Sequence, residues 1–323
     1  MASTSGVAYS DVLLNYQGDL IGIGGQIGKT PLLTMGGGLN GAGTVSSQTY
    51  VMGNFWSNDA GAAAAIAETT SVTAPTATHF LPTQKTNYVE IHHKKIQLTY
   101  MQQSNVGQIS GQAIITAPHA IQRPQTQRDA HLLQMAIDIE WALNFGAGQA
   151  PTNNATIATT KGVITDILAT NTTEVAASGA QLGTTQIDLL EAAILGASGM
   201  PMQPVLFGGA YQIQQLRALY GFAPASINIG GVTLNQVRLP IIGDCGVMFH
   251  PQYTGATYGA ILALIDMARI RPVFLPVDGK PNVFIEPIGK TGASDQEQIY
   301  CQVGVDYDNV LYHGAISGLA TAA

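Results

Sequence analysis

The stretch from Pro124 to Gly148 constrains this chain most, because it reads as one long amphipathic helix. Thr126 is placed to cap it, with Asp129 three residues on as a carboxylate variant of the capping box. Leu132, Ala136, Ile139 and Leu143 recur at the helical period, and Leu133, Ile137 and Trp141 follow one step round. The resulting apolar stripe is wider than a coiled-coil seam and suits a helix lying across a sheet. Arg128, Gln134, Asp138 and Asn144 are expected on the opposite side, and Gly146, Gly148 and Pro151 mark the end. A helix over 126–146 would be roughly 30 Å long. Asp138 and Glu140 in its middle argue against a membrane span. Trp141, four residues after Ile137, is expected to be buried between this spine and a sheet, where truncation to alanine would cost about 3–5 kcal/mol.

Composition narrows the function classes. A formal charge of −7 and a pI near 5.4 argue against a surface built to grip nucleic acid. Only 10% of residues are charged while 46% are apolar, which leaves few charges to cover the surface of a monomer. Other copies of the chain are the simplest cover. Cys245 and Cys301 lie far apart without CxxC spacing, so neither a disulfide framework nor a zinc site is indicated. Each reads as a small buried hydrophobe. Met1 to Ser10 carries neither the basic nor the apolar region of a signal peptide, and no apolar run reaches transmembrane length.

Before the spine, residues 1–43 are glycine-rich with few apolar residues, as in an arm that gains order by lying on something. Residues 44–84 are rich in Thr, Ser, Ala and Val, and no Lys or Arg occurs between Pro31 and Gln84. Residues 44–56 and 66–78 could pair as two strands around a turn at 58–61, an extension that needs a partner surface. Val89, Ile91 and His93, then Ile96, Leu98 and Tyr100, suggest a long strand whose inward face switches at a bulge near Lys94 and Lys95. After the spine, residues 162–169 form a short apolar segment of one or two helical turns. Residues 184–275 alternate as in a mixed α/β or α+β domain. Thr185 can cap a helix, Pro204 to Phe207 is a short strand, and Tyr211 to Tyr220 is a second helix. Gly230 and Gly231 make the clearest hairpin, because a two-residue turn needs two positive φ angles. Strand-like runs over 282–286, 298–305 and 310–316 close the chain.

The motifs that suggest chemistry are weak. Gly28, Lys29 and Thr30 end a run resembling a phosphate-binding P-loop, but the required first glycine falls on Ile23. A P-loop NTP-binding enzyme is therefore a remote alternative. His92, His93, Lys94 and Lys95 form the only basic cluster, and neighbouring strand residues point to opposite faces, which disfavours a shared metal. A solvated strand edge or an intersubunit salt bridge is the ordinary reading. Asp138 and Glu140 face different directions on a helix and make a poor acid/base pair. Asp306 and Asp308 read as a solvated turn. No residue is assigned a catalytic, cofactor-binding or metal-ligating role, and no cofactor is implied.

Arm, two-stranded extension, long strand, spine helix, mixed domain and return strands follow in that order. In this order the chain resembles a tailed-bacteriophage major capsid protein with the Hong Kong 97-type fold, an α+β architecture. The likeness is carried by Asn87 to Ile91, Gly107 to Gly111, the spine end from Asp138 to Leu143, Lys161 to Ile167, and the closing Tyr312, His313 and Gly314. The resemblance implies an N-terminal arm at 1–35, an E-loop at 36–86 and a peripheral domain at 87–159. It also implies an axial domain at 160–275 and return strands to the peripheral domain at 276–323. It implies a homo-oligomer of pentameric and hexameric capsomers forming an icosahedral shell around double-stranded DNA. Portal and scaffolding or cement proteins would be its partners, with no membrane. Its place would be the virion, and the host cytoplasm during assembly. An encapsulin-type nanocompartment shell, which has the same fold, is the alternative. In the founding member of this fold, the resemblance says, an E-loop lysine joins a neighbour's asparagine. Here the nearest lysines, Lys29 and Lys85, stand only at the base of the extension.

Overall fold

The computed structural model describes residues 29–36, 43–55, 66–73, 83–101, 108–109, 112–113, 124–290 and 292–321. The spine runs from Pro124 to Phe145, so it begins two residues ahead of Thr126, with proline at the first turn. It ends where expected. A Cβ on Gly146 would stand 2.2 Å from the Thr160 carbonyl oxygen and 2.6 Å from that of Ala142, so only glycine lets the chain turn there. Leu132, Met135, Ala136, Ile139 and Leu143 are fully buried in one cluster with Ile96, Leu98, Ile299, Cys301, Val303 and Val305. The helix therefore lies across a sheet, as its stripe requires.

That sheet has five strands. Ser294–Asp306 is its backbone, pairing antiparallel with Glu90–Thr99, Val283–Pro287 and Arg271–Phe274, and Gly43–Thr44 adds in parallel to the last of these. The register between Glu90–Thr99 and Ser294–Asp306 is unbroken from Val303 against Glu90 to Ser294 against Thr99. The expected bulge at Lys94 and Lys95 is thus a correction. His92, Ile96 and Leu98 share the buried face while Ile91 and His93 face out. One strict alternation suffices because His92, not Ile91, is turned inward.

A seven-stranded mixed sheet forms the second layer, in the order Ala223–Ile229, Val232–Leu239, Gly243–Phe249, Pro204–Gly208, Leu262–Asp266, Gly314–Ser317 and Glu174–Ala176. The expected hairpin sits at its edge, with Gly230 at φ 58° and Gly231 at φ 78°. Helices Val163–Thr170, Thr184–Ser198 and Ala210–Tyr220 match the sequence reading, except that Gly183 and not Thr185 stands at the N-cap of the second. Two strands differ from the expected partition. Arg271–Phe274 belongs to the five-stranded sheet, and Gly314–Ser317 joins the seven-stranded sheet instead of returning with Ser294–Asp306. The break comes at Asp308, which has φ 56° and redirects the chain.

The two-stranded extension is also re-paired. Thr49–Phe55 pairs with Thr83–Tyr88, whereas within the expected strand over 66–78 Glu68–Ser71 is a short helix and 74–78 lies outside the described residues. Trp141 is the clearest error of the sequence reading. It is 40% exposed, standing edge-on to Tyr258 and tilted against Phe145, each at 4.9 Å. Asn144, expected on the polar side, is buried. The buried arc of the helix is centred on Ile139 and Leu143, and Trp141, about half a turn from that centre, falls on the exposed side, while Asn144 is buried by its contacts with His250 and Tyr253.

Candidate functional site

Three buried polar clusters stand out, of which the first two fix the helix Pro31–Met35 and the ribbon of Thr49–Phe55 and Thr83–Tyr88 and the third joins the two sheets. The first is built on Glu140, which sits inside the apolar arc of the spine and is fully buried. A carboxylate there needs compensating donors. Its Oε1 accepts the Leu32 N–H at 2.7 Å and its Oε2 the Leu33 N–H at 2.7 Å, both from the first turn of the short helix Pro31–Met35. His250, at the end of a strand in the seven-stranded sheet, donates from Nε2 to Oε1 at 2.8 Å. Its Nδ1 accepts the Gln252 N–H at 3.2 Å, which fixes the neutral Nε2–H tautomer. Asn144 donates to the Glu140 carbonyl at 2.8 Å and lies under the Tyr253 hydroxyl. One carboxylate thus joins the N-terminal segment, the spine and the seven-stranded sheet.

This cluster also disposes of the P-loop reading. Gly28 lies outside the described residues, Lys29 is exposed in a turn, and Thr30 is buried at the start of the helix Pro31–Met35. The backbone donors a phosphate would require at Leu32 and Leu33 are already bound to Glu140.

The second cluster holds the ribbon of Thr49–Phe55 and Thr83–Tyr88. Asn87 is fully buried and uses both ends of its amide. Its Nδ2 donates to the carbonyls of Val305 at 2.9 Å and Lys161 at 3.1 Å, and its Oδ1 accepts from the N–H groups of Lys161 and Tyr88. Tyr50 donates to the Val305 carbonyl at 2.6 Å, and burial pushes its phenol far above the ordinary range. Beside it, the buried Asp166 takes Lys161 on Oδ1, and Lys85 at 3.8 Å and the Tyr307 hydroxyl at 3.1 Å on Oδ2. Lys85, the lysine at the base of the extension, thus lies within ion-pair distance of Asp166.

The third cluster joins the two sheets. His313 is fully buried, accepts the Asp266 N–H on Nδ1 at 3.1 Å and donates from Nε2 to the Tyr307 carbonyl at 3.0 Å. Burial holds its pKa below the usual imidazole value, with the Tyr307 carbonyl opposing. Arg269 stacks 3.5 Å over the Tyr312 ring and pairs with Asp308 at 2.7 Å, while Arg271 pairs with Asp306 at 2.7 Å. Asp306 and Asp308 are ion-paired here, which corrects the solvated-turn reading.

The basic cluster divides by face, as alternation requires. Lys94 pairs with Asp138 of the spine, His93 reaches Gln298 at 3.1 Å, and His92 is 8% exposed with its pKa lowered to about 4 by burial. Both cysteines are free and buried, and burial pushes each thiol up to about 12. Among the described residues no group of His, Cys, Asp or Glu is arranged to hold a metal ion, and no helix is long and apolar enough to cross a membrane.

Every described cluster thus serves to anchor segments. The sequence profile of the SU10 major capsid protein family matches residues 14–320. This chain belongs to that family. It is a phage major capsid protein, a subunit of a head shell with a structural and not an enzymatic role. The fold agrees with that assignment. The SrpI encapsulin of Synechococcus elongatus PCC 7942 superposes with a TM-score of 0.55 at 9% identity, covering 87% of this chain and 85% of that one. A protein of Mycobacterium phage Patience gives 0.53 at 9% identity over 94% and 86%, and one of Mycobacterium phage Cain gives 0.52 at 12% over 87% and 89%. None of the curated proteins matches the sequence. The capsid protein therefore has the Hong Kong 97-type α+β fold on a sequence far from these structural relatives.

What sequence reasoning missed is the partner of each buried polar residue. Glu140, Leu32 and His250 come together across more than 100 positions of chain. One signal was available: on the helix surface Glu140 stands between Ala136 and Leu133 within the apolar stripe, where an unpaired carboxylate would be untenable.

Proposed function

We propose that copies of this capsid protein join as pentamers and hexamers into an icosahedral head shell around double-stranded DNA. The family match over residues 14–320 carries this reading. The five-stranded sheet with the spine would be the peripheral domain, and the seven-stranded sheet the axial domain packed around the capsomer axis. Residues 1–35 would be the arm and 36–86 the E-loop, draped over neighbouring copies. Their described bases are hydrogen-bonded to the two sheets and the spine through Glu140 and Asn87, while Ile66 and Val72 are 67% and 86% exposed. Apolar groups so placed gain most by contact with another copy. Head-to-tail rings give each subunit two different contact surfaces. An acidic shell also leaves the packaged phosphates unbound. Assembly in the host cytoplasm would engage a portal, with scaffolding or cement proteins as further partners.

No lysine lies between Pro31 and Gln84, so a covalent crosslink from the tip of the extension has no amine to start from. Stability of the shell then comes from buried area and intersubunit strand pairing. Microscopy of the purified protein should show closed shells, and particles from infected cells should hold nuclease-protected DNA. Boiled, reduced particles should run as one band near 33.7 kDa. Shells that carry protein cargo and no genome would favour the encapsulin reading, and a ladder of oligomers surviving reductant would refute the uncrosslinked shell.

A further inference from the structure

Between the spine and the edge of the five-stranded sheet lies a cavity of about 470 Å³ bounded by Glu90, His92, Asp138, Trp141, Phe145 and Thr159. Its polar groups are unevenly satisfied. Asp138 is already paired with Lys94. Glu90 has one long hydrogen bond, from the Thr160 N–H at 3.3 Å, and no lysine or arginine within ion-pair distance among the described residues. Burial raises its pKa. His92 is 8% exposed, and its Nε2 has no hydrogen-bond partner among the described residues, lying 3.9 Å from Glu90. Trp141 forms the wall, 40% exposed although it is the largest side chain of the spine.

An under-satisfied carboxylate, an imidazole nitrogen able to accept, and an open indole face together suit one kind of visitor. All three attract a cation that donates hydrogen bonds. We propose that this cavity is an intersubunit socket for a lysine or arginine side chain of a second copy of the chain. The charge complement exists on the chain itself, since Lys29, Lys95, Arg217 and Arg238 are exposed and form no ion pair among the described residues. A cation seated on Glu90 would restore the charge balance that burial disturbs, and the indole would shield it from water. The half-exposed tryptophan would then be the anchor of the contact.

The inference rests on the shell reading, and its test separates the two. Glu90→Gln keeps the Thr160 hydrogen bond and removes the charge. The unassembled variant should melt within about 3 °C of the parent, while half-assembly should need roughly tenfold more protein, one charge-assisted contact being lost per subunit. In a Trp56→Phe background, the emission of Trp141 should shift to the blue on assembly. A map of the assembled particle should show a lysine or arginine of a neighbouring copy within 4 Å of Glu90, that being the distance of an ion pair. Parent protein that never forms shells defeats the shell reading. Shells in which Glu90→Gln assembles normally, or in which the cavity holds only water or apolar side chains, overturn the socket.

Discussion

Replacing Glu140 with alanine tests the joint on which the described N-terminal segment depends. The substitution strands three buried donors, the N–H groups of Leu32 and Leu33 at 2.7 Å and His250 Nε2 at 2.8 Å. Each orphaned donor costs about 1–3 kcal/mol, and relief of the buried charge offsets part of the sum. The net loss should be about 3–5 kcal/mol, the lower part of what three orphaned donors would cost together. That is a large share of the roughly 5–15 kcal/mol that stabilises an ordinary domain. Glu140→Gln should lose less, about 2–3 kcal/mol, because its amide oxygen still accepts while its NH2 opposes a backbone donor. The assay is urea unfolding of unassembled subunits, with amide exchange read at Leu32 and Leu33. Both amides should exchange much faster in the alanine variant than in the parent, while Leu264 in the seven-stranded sheet keeps its protection. A loss below about 1 kcal/mol with Leu32 and Leu33 still protected would refute the anchoring role, since three buried donors cannot be abandoned so cheaply.

Trp141→Ala should cost about 1–2 kcal/mol in the unassembled subunit, short of the 3–5 kcal/mol of an enclosed aromatic, because the vacated site opens to solvent; a loss above 3 kcal/mol by urea unfolding would contradict the exposed placement. Gly230→Ala should destabilise by more than the roughly 1 kcal/mol of a left-handed penalty, since its Cβ would also meet the Met35 carbonyl oxygen at 2.5 Å; a melting temperature equal to the parent's would show that hairpin and N-terminal helix do not touch. Stability should be full above about pH 6.5 and fall below it, because the unfolded chain binds protons that His92, lowered to about 4 by burial, and His313 refuse when folded. His92 alone accounts for about 3 kcal/mol by pH 4, so His92→Gln should flatten the profile, and an unchanged acid limb would remove His92 from the account.

The spine, the hairpin at Gly230 and Gly231, and the helices after residue 160 were legible because each rests on local rules. A period of 3.6 and two residues able to take positive φ are written within a dozen residues, whereas the caps expected at Thr126 and Thr185 fell inside their helices. The order of these elements was enough to suggest the family. The side of the spine that Trp141 takes was misread, because a stripe running from Ile139 to Trp141 spans roughly 200°, more than one helix face buries, and only the packing decides which part is covered. Nor was the inward turn of His92, where alternation fixes two faces and does not say which is buried. Strand partners were decided only in three dimensions. Thr49–Phe55 chose Thr83–Tyr88 over the nearer 66–78, and Gly314–Ser317 left one sheet for the other after Asp308. The polar clusters belong to the same category. Glu140, Asn87, Asp166 and His313 look unremarkable in a list of residues, and each acquires its role from donors and acceptors that are distant in the chain. Periodicity reports how much of a segment is buried, whereas the identity of what it is buried against is a long-range property that only the tertiary structure supplies.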